Sequence, residues 1–188
     1  MTTTQRPMRA DARRNYERLL AAARDAFAGH GTEASLEDIA RSAEVGIGTL
    51  YRHFPTRRAL LEAVLHDSMV TLNARAHDLL DSPSPEEALL TWLRLLVTHA
   101  TTYRGLAATL MGSICDPDSE LYGSCATVQG NGAKLLAGAQ RAGAIRPDVT
   151  GADLVKLVNA IAWASEHGED DAGRLFDLVV NGLRTRAR

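Results

Sequence analysis

Thr49, Tyr51, Arg52 and His53 fall within the single stretch Thr49-Leu50-Tyr51-Arg52-His53-Phe54, and Arg57 follows closely. A hydroxyl, a phenol, a guanidinium and an imidazole supply donors and acceptors for phosphate oxygens and base edges, which is the chemistry of recognition. To act together these groups must share one surface. Leu50 and Phe54, at i and i+4, form an inward pair on a short helix starting near Ile47, which leaves Thr49, Tyr51, Arg52 and His53 facing mostly outward. Just upstream, Ser35 is placed to cap another helix, and Asp38, three positions on, completes a capping-box pattern at the positive end of its dipole. Leu36, Ile39, Ala40 and Ala43 give that helix a buried stripe. Two short helices joined by a tight turn are the minimal frame for a recognition helix in a major groove.

The rest of the chain follows the same period of 3.6 residues, and no segment shows sustained alternation of β-branched residues, so the expected fold is all-α with about nine helices. The first helix is predicted over about 10–28, with Tyr16, Leu19, Leu20, Ala23 and Phe27 on one stripe and Gly29, His30 and Gly31 ending it. A long fourth helix is predicted over about 56–80 and a fifth over 85–102, with Pro85 in its first turn. Shorter or later helices are expected over 105–114, 119–142, 151–167 and 170–186. The helix over 119–142 holds Gly123, Gly130, Gly132 and Gly138, which implies a kink, a close helix contact or space for something else.

The segment from Phe27 and the His30-Gly31 turn, through the two short helices, to Pro55-Thr56-Arg57-Arg58-Ala59-Leu60-Leu61 closely resembles the tetracycline-repressor (TetR) family of transcription regulators. That resemblance implies a DNA-binding domain over 1–55 and a ligand-binding and dimerisation domain over 56–188. It implies that Thr49, Tyr51 and His53 touch phosphates or base edges, that Arg52 reaches bases or backbone, that Arg57 holds a phosphate at the start of the fourth helix, and that Ser35 both caps and touches phosphate. Arg6 and Arg9 lie in a polar start of the chain that is expected to be disordered, with a minor-groove arm as the alternative. One departure stands out. Where the family often places glycine between the two short helices, this chain has Ala43-Glu44-Val45, so a positive φ at Glu44 would be strained and would bring a carboxylate near phosphates.

By the same resemblance, the partners are double-stranded operator DNA, a second copy of the chain and a small effector, and the function is a ligand-responsive regulator, a repressor released from a palindromic operator by that effector. Candidate effector contacts are Met69, Asn73, Trp92, His99, Tyr103, Met111, Ile114, Tyr122, Cys125, Gln129 and Trp163, which mix apolar walls with a few polar handles. They suggest a largely apolar effector. The last two helices offer a dimer surface at Val155, Val158, Ile161, Ala162, Phe176, Val179, Val180 and Leu183, although an intramolecular core would generate the same pattern.

Charge is divided along the chain: residues 1–60 hold ten Arg against seven acidic residues, and the remainder is acidic, within an overall charge of −2. No HExxH, di-iron ExxH, GxSxG or GxxxxGK pattern is present, the histidines lack metal spacing, and Asp116, Asp118 and Glu120 do not complete a calcium loop. No enzyme activity, cofactor or metal is expected. Cys115 and Cys125 read as buried thiols, and a cytoplasmic location is expected because no stretch reads as a secretory signal or membrane span. The alternative from another class is a helical-bundle carrier or enzyme whose head no longer binds DNA.

Overall fold

The computed structural model describes residues 5–102, 116–117, 119–166 and 172–185. The helix expected over 105–114, with Tyr103, Met111, Ile114 and Cys115, lies outside the described residues. Among those described, the elements are helices α1 (Gln5–His30), α2 (Leu36–Ser42), α3 (Ile47–His53), α4 (Arg57–Leu80), α5 (Pro85–Thr102), α6 (Glu120–Arg141), α7 (Gly151–Glu166) and α8 (Ala172–Leu183), with a 3-10 turn over Gly31–Glu33. The all-α expectation is met, and the described elements include no strand. The one isolated bridge among them pairs Ile145 with Arg184.

The helices fall into two compact units, divided within α4 between Leu65 and His66. In the first, Leu19, Leu20, Ala23 and Phe27 of α1 are buried together with Leu36, Ile39, Leu50, Leu60, Leu61 and Val64. α1 starts earlier than predicted, at Gln5, because the polar run before Ala10 continues the helix. It ends where Gly31 takes φ +70°, a conformation that side chains rarely adopt. Tyr16, placed on the inner stripe by periodicity, is instead 38% exposed at its edge. Thr56 caps α4, accepting from the Ala59 amide at 3.0 Å.

The second unit is built around α5. Leu89, Leu90, Trp92, Leu93 and Val97 share one core with Leu72 and Ala76 of α4, Val128, Leu135 and Leu136 of α6, and Leu154, Val158 and Ile161 of α7. Ser119 caps α6, accepting from the Leu121 amide at 3.2 Å. The last helix stops at Leu183, short of the predicted 186, because the chain after it pairs elsewhere: Arg146 N donates to Leu183 O and Thr185 N to Ala144 O, both at 3.0 Å. No helix among the described residues is long and apolar enough to cross a membrane.

Candidate functional site

The surface of α3 follows from its length. In seven residues a helix makes two turns, so the burial of Leu50, fully enclosed, and of Phe54 just after it fixes the rotation of the whole element. Tyr51, 46% exposed, and Arg52 then occupy the middle of the outer face, while Thr49 and His53 are half-buried at its edges. The His53 ring meets the ring of Tyr16 edge-on at 6.0 Å between centroids, and Tyr16 also leans on Phe54 at 5.1 Å. Tyr16 is therefore part of the support of α3, a role that periodicity alone did not reveal.

The cationic groups of this unit are used unequally. Arg13 pairs with Glu17, Arg14 with Asp11, Arg18 with Glu44, Arg41 with Asp38 and Arg58 with Glu62. Arg52 has no carboxylate partner among the described residues, and it is exposed. Arg57 is half-buried, and its Nη1 donates to the carbonyls of Thr32 at 2.9 Å and Ala34 at 2.5 Å, tying the start of α4 to the turn before α2. Its Nε and Nη2 have no partner among the described residues. Ser35 takes the extended conformation of a cap and accepts from the Asp38 amide at 3.2 Å. In the turn that follows, Glu44 has φ +52°, the strained conformation that its place between α2 and α3 suggested, and its carboxylate is held by Arg18 of α1.

The polar groups of the second unit are spread over three helices. Asn131 Nδ2 donates to Asn73 Oδ1 at 3.2 Å, Asn73 Nδ2 reaches Ser124 O at 3.5 Å, and Ser124 Oγ lies 3.0 Å from His66 Nδ1. These pairs join α4 and α6 at seven-residue intervals on both helices. His99 is largely buried, and loss of hydration lowers its pKa to about 4, so the ring is neutral near pH 7. Trp92 is 2% exposed, and the benzo edge of its indole rests on Gly132, where a Cβ would stand 2.8 Å from Cζ2 and Cζ3 and nearer still to Cη2. A close helix contact thus accounts for one of the four glycines of α6. Gly123 and Gly130 face open space.

Several predicted positions are not brought together. Trp163 is 64% exposed on α7, Tyr122 is 44% exposed, and Gln129 is exposed, whereas Met69, Asn73 and Cys125 are half-buried. Of the residues read as a dimer surface, Val158, Ile161, Phe176, Val180 and Leu183 lie in the core of the chain itself, Ala162 is buried, and Val155 and Val179 are half-buried. A helical stripe records that a face is covered and carries no mark of which chain covers it. No group of His, Cys, Asp and Glu able to hold a metal ion occurs among the described residues.

Residues 19–64 match the family described as bacterial regulatory proteins, tetR family, and residues 84–185 match the C-terminal domain of SbtR-like transcriptional regulators. The chain belongs to the TetR family. It is 38% identical to a TetR transcriptional regulator of Streptomyces coelicolor whose crystal structure superimposes with a TM-score of 0.71, covering 91% of this chain and 99% of that one. A TetR regulatory protein of Mycobacterium vanbaalenii is also 38% identical, with a TM-score of 0.69 over 95% of this chain and 100% of that one. The HTH-type transcriptional regulator UidR of Escherichia coli is 26% identical over 184 residues, 96% of this chain and 89% of its own length. As a TetR-family member, the protein is a ligand-responsive, DNA-binding transcription regulator. What the sequence did not reveal about this TetR head was support at a distance: Arg18 beneath Glu44 and Tyr16 beside His53 are brought in by packing of α1 and carry no local motif.

Proposed function

We propose that the protein is a dimeric repressor whose α3 enters the major groove of a palindromic operator and whose second unit binds a small effector that releases it. The observation that carries this reading is Arg52, an exposed guanidinium without a carboxylate partner among the described residues, in a unit where five other arginines are paired. Arg52 and Tyr51 read base edges or backbone from the centre of the face, and Thr49 and His53 contact the flanking phosphates. Ser35 and the free edge of Arg57 hold the backbone, so that Arg57 serves the fold and the phosphate at once. The head extends over 1–55 and the ligand-binding and dimerising part over 56–188. The effector meets Asn73, Trp92 and His99 in the second unit. This reading places the protein in the cytoplasm and assigns it no catalysis.

Binding of the full chain to duplexes flanking its own gene, titrated with salt, tests the DNA assignment. R52A is expected to weaken specific binding at least tenfold and to lower the salt slope by about 1, whereas R58A, already paired with Glu62, changes little. Unchanged binding by R52A removes its role.

A half-site reader needs a partner at fixed spacing. With the inner stripes of α7 and α8 consumed by the core, the outer faces support the second copy: Asn159, Ala160 and Trp163 on α7, and Asp177, Leu178 and Asn181 on α8, are exposed. Leu178 is 59% exposed beside the 64% of Trp163, large apolar area for a monomer to leave in water. In sedimentation the native chain should run as a dimer and Trp163→Glu as a monomer; a variant still dimeric moves the interface elsewhere.

A further inference from the structure

We propose that the indole N–H of Trp92 is the anchor for an uncharged ligand bearing an oxygen acceptor, such as a ketone, lactone or ester. This deepens the effector reading above and rests on it. Trp92 is 2% exposed, and its Nε1 is buried with no hydrogen-bond partner among the described residues. A buried donor without an acceptor forfeits its hydration and gains nothing in return. The same side chain imposes a second cost. Its ring occupies the place of a side chain at position 132 and so requires a glycine inside α6, where alanine would favour the helix. Leucine or phenylalanine at position 92 could fill a core without an unmet N–H. Two costs at one residue, both arising from the indole, leave among the described residues a donor available to a ligand's acceptor.

The neighbouring chemistry restricts what that acceptor belongs to. Asn131, next to Gly132 in the chain, bonds Asn73, and Asn73 reaches the Ser124 carbonyl. His99 lies seven residues beyond Trp92 on the same face of α5 and is neutral near pH 7. Amides, a hydroxyl, an imidazole and an indole can bond a carbonyl oxygen but offer no fixed positive charge. A carboxylate entering the core formed by Leu89, Leu93, Val128 and Leu136 would give up its hydration among apolar side chains, whereas a ketone loses little and satisfies the N–H.

Calorimetric titration of the full chain with 2-decanone and with decanoate tests this directly. Native protein is expected to bind the ketone at least tenfold more tightly than the carboxylate, and W92F to lose at least tenfold in ketone affinity while melting, ligand-free, no lower than the native chain. Absence of ketone binding, equal affinity for ketone and decanoate, or ketone affinity unaltered in W92F would overturn the proposal. The comparison of the two probes needs no variant, so it decides even if W92F folds poorly. Retardation of the operator duplex by native protein in the same buffers separates the two levels: a protein that retains its operator but ignores the ketone refutes the ligand class alone, and one that binds no specific duplex refutes the regulator.

Discussion

The two units use polar residues in opposite ways. In the head, Tyr51 and Arg52 stand on the outside of a helix whose inner face is closed by Leu50, and the ion pairs of the other arginines lie on the surface. In the second unit the polar groups of interest, Trp92, His99, Asn73 and Asn131, are wholly or partly buried among apolar side chains. A surface site tolerates loose packing beneath it, because its partner supplies the complementary groups. An interior site is coupled to stability, since each polar atom in it is either matched or costly.

That contrast can be broken where it is strongest, at the contact of Trp92 with Gly132. Gly132→Ala should cost about 3 kcal/mol in a urea melt, because the new methyl meets the indole ring within contact distance. Gly130→Ala, facing open space on the same helix, should stabilise by about 1 kcal/mol or less. If both changes behave alike, the indole yields easily and the second unit is looser than its packing implies.

His99 gives the next effect. Its folded pKa, lowered by burial to about 4, lies below the ordinary 6.5, so between these values the unfolded chain binds the extra proton. Stability should therefore fall as pH drops from about 6.5 to 4, with His99 contributing on the order of 2–3 kcal/mol across the window. His99→Gln should flatten that part of the denaturation profile. An unchanged profile would show the ring to be hydrated, which brings the second unit closer in character to the head.

The smallest effect belongs to the head. Relief of the positive φ at Glu44 by glycine gains about 1 kcal/mol or slightly more, and loss of the exposed Arg18 pair costs about 0.5 kcal/mol, so Glu44→Gly should be net stabilising by about 0.5 kcal/mol. Thermal melting of the variant measures the balance, and a clear loss would mean that the Arg18 pair is worth more than an exposed ion pair usually is.

The same contrast explains what could be read from the residues alone. The cap at Ser35, the inward pair Leu50 and Phe54 and the strain at Glu44 are local, set within one or two turns, and each was legible. Arg18 beneath Glu44 is 26 residues distant and depends on how α1 packs, which no motif records. In the second unit the stripes of α7 and α8 were legible as covered faces, but their covering came from the chain's own core. Trp163, a candidate effector contact in the sequence, stands one step around the helix from the buried Ala162 and is 64% exposed, a placement set by the rotation of α7. The glycine at 132 was visible as an oddity, and its cause, an indole on another helix, required the register between α5 and α6.

The short bridge between Ile145 and Arg184 has a kinetic consequence. By bonding Arg146 to Leu183, the last residue of α8, and Ala144 to Thr185 just past it, it closes residues 145–184 into a loop whose two ends hold each other. A terminal helix ordinarily frays from its free end, its amides exchanging with solvent one turn at a time. Here the end is fastened, so the last turn of α8 cannot unwind without releasing the bridge. Deuterium should enter the amides of Leu183 and Thr185 at the pace of the helix interior, and the closing segment of the chain should open as one cooperative piece.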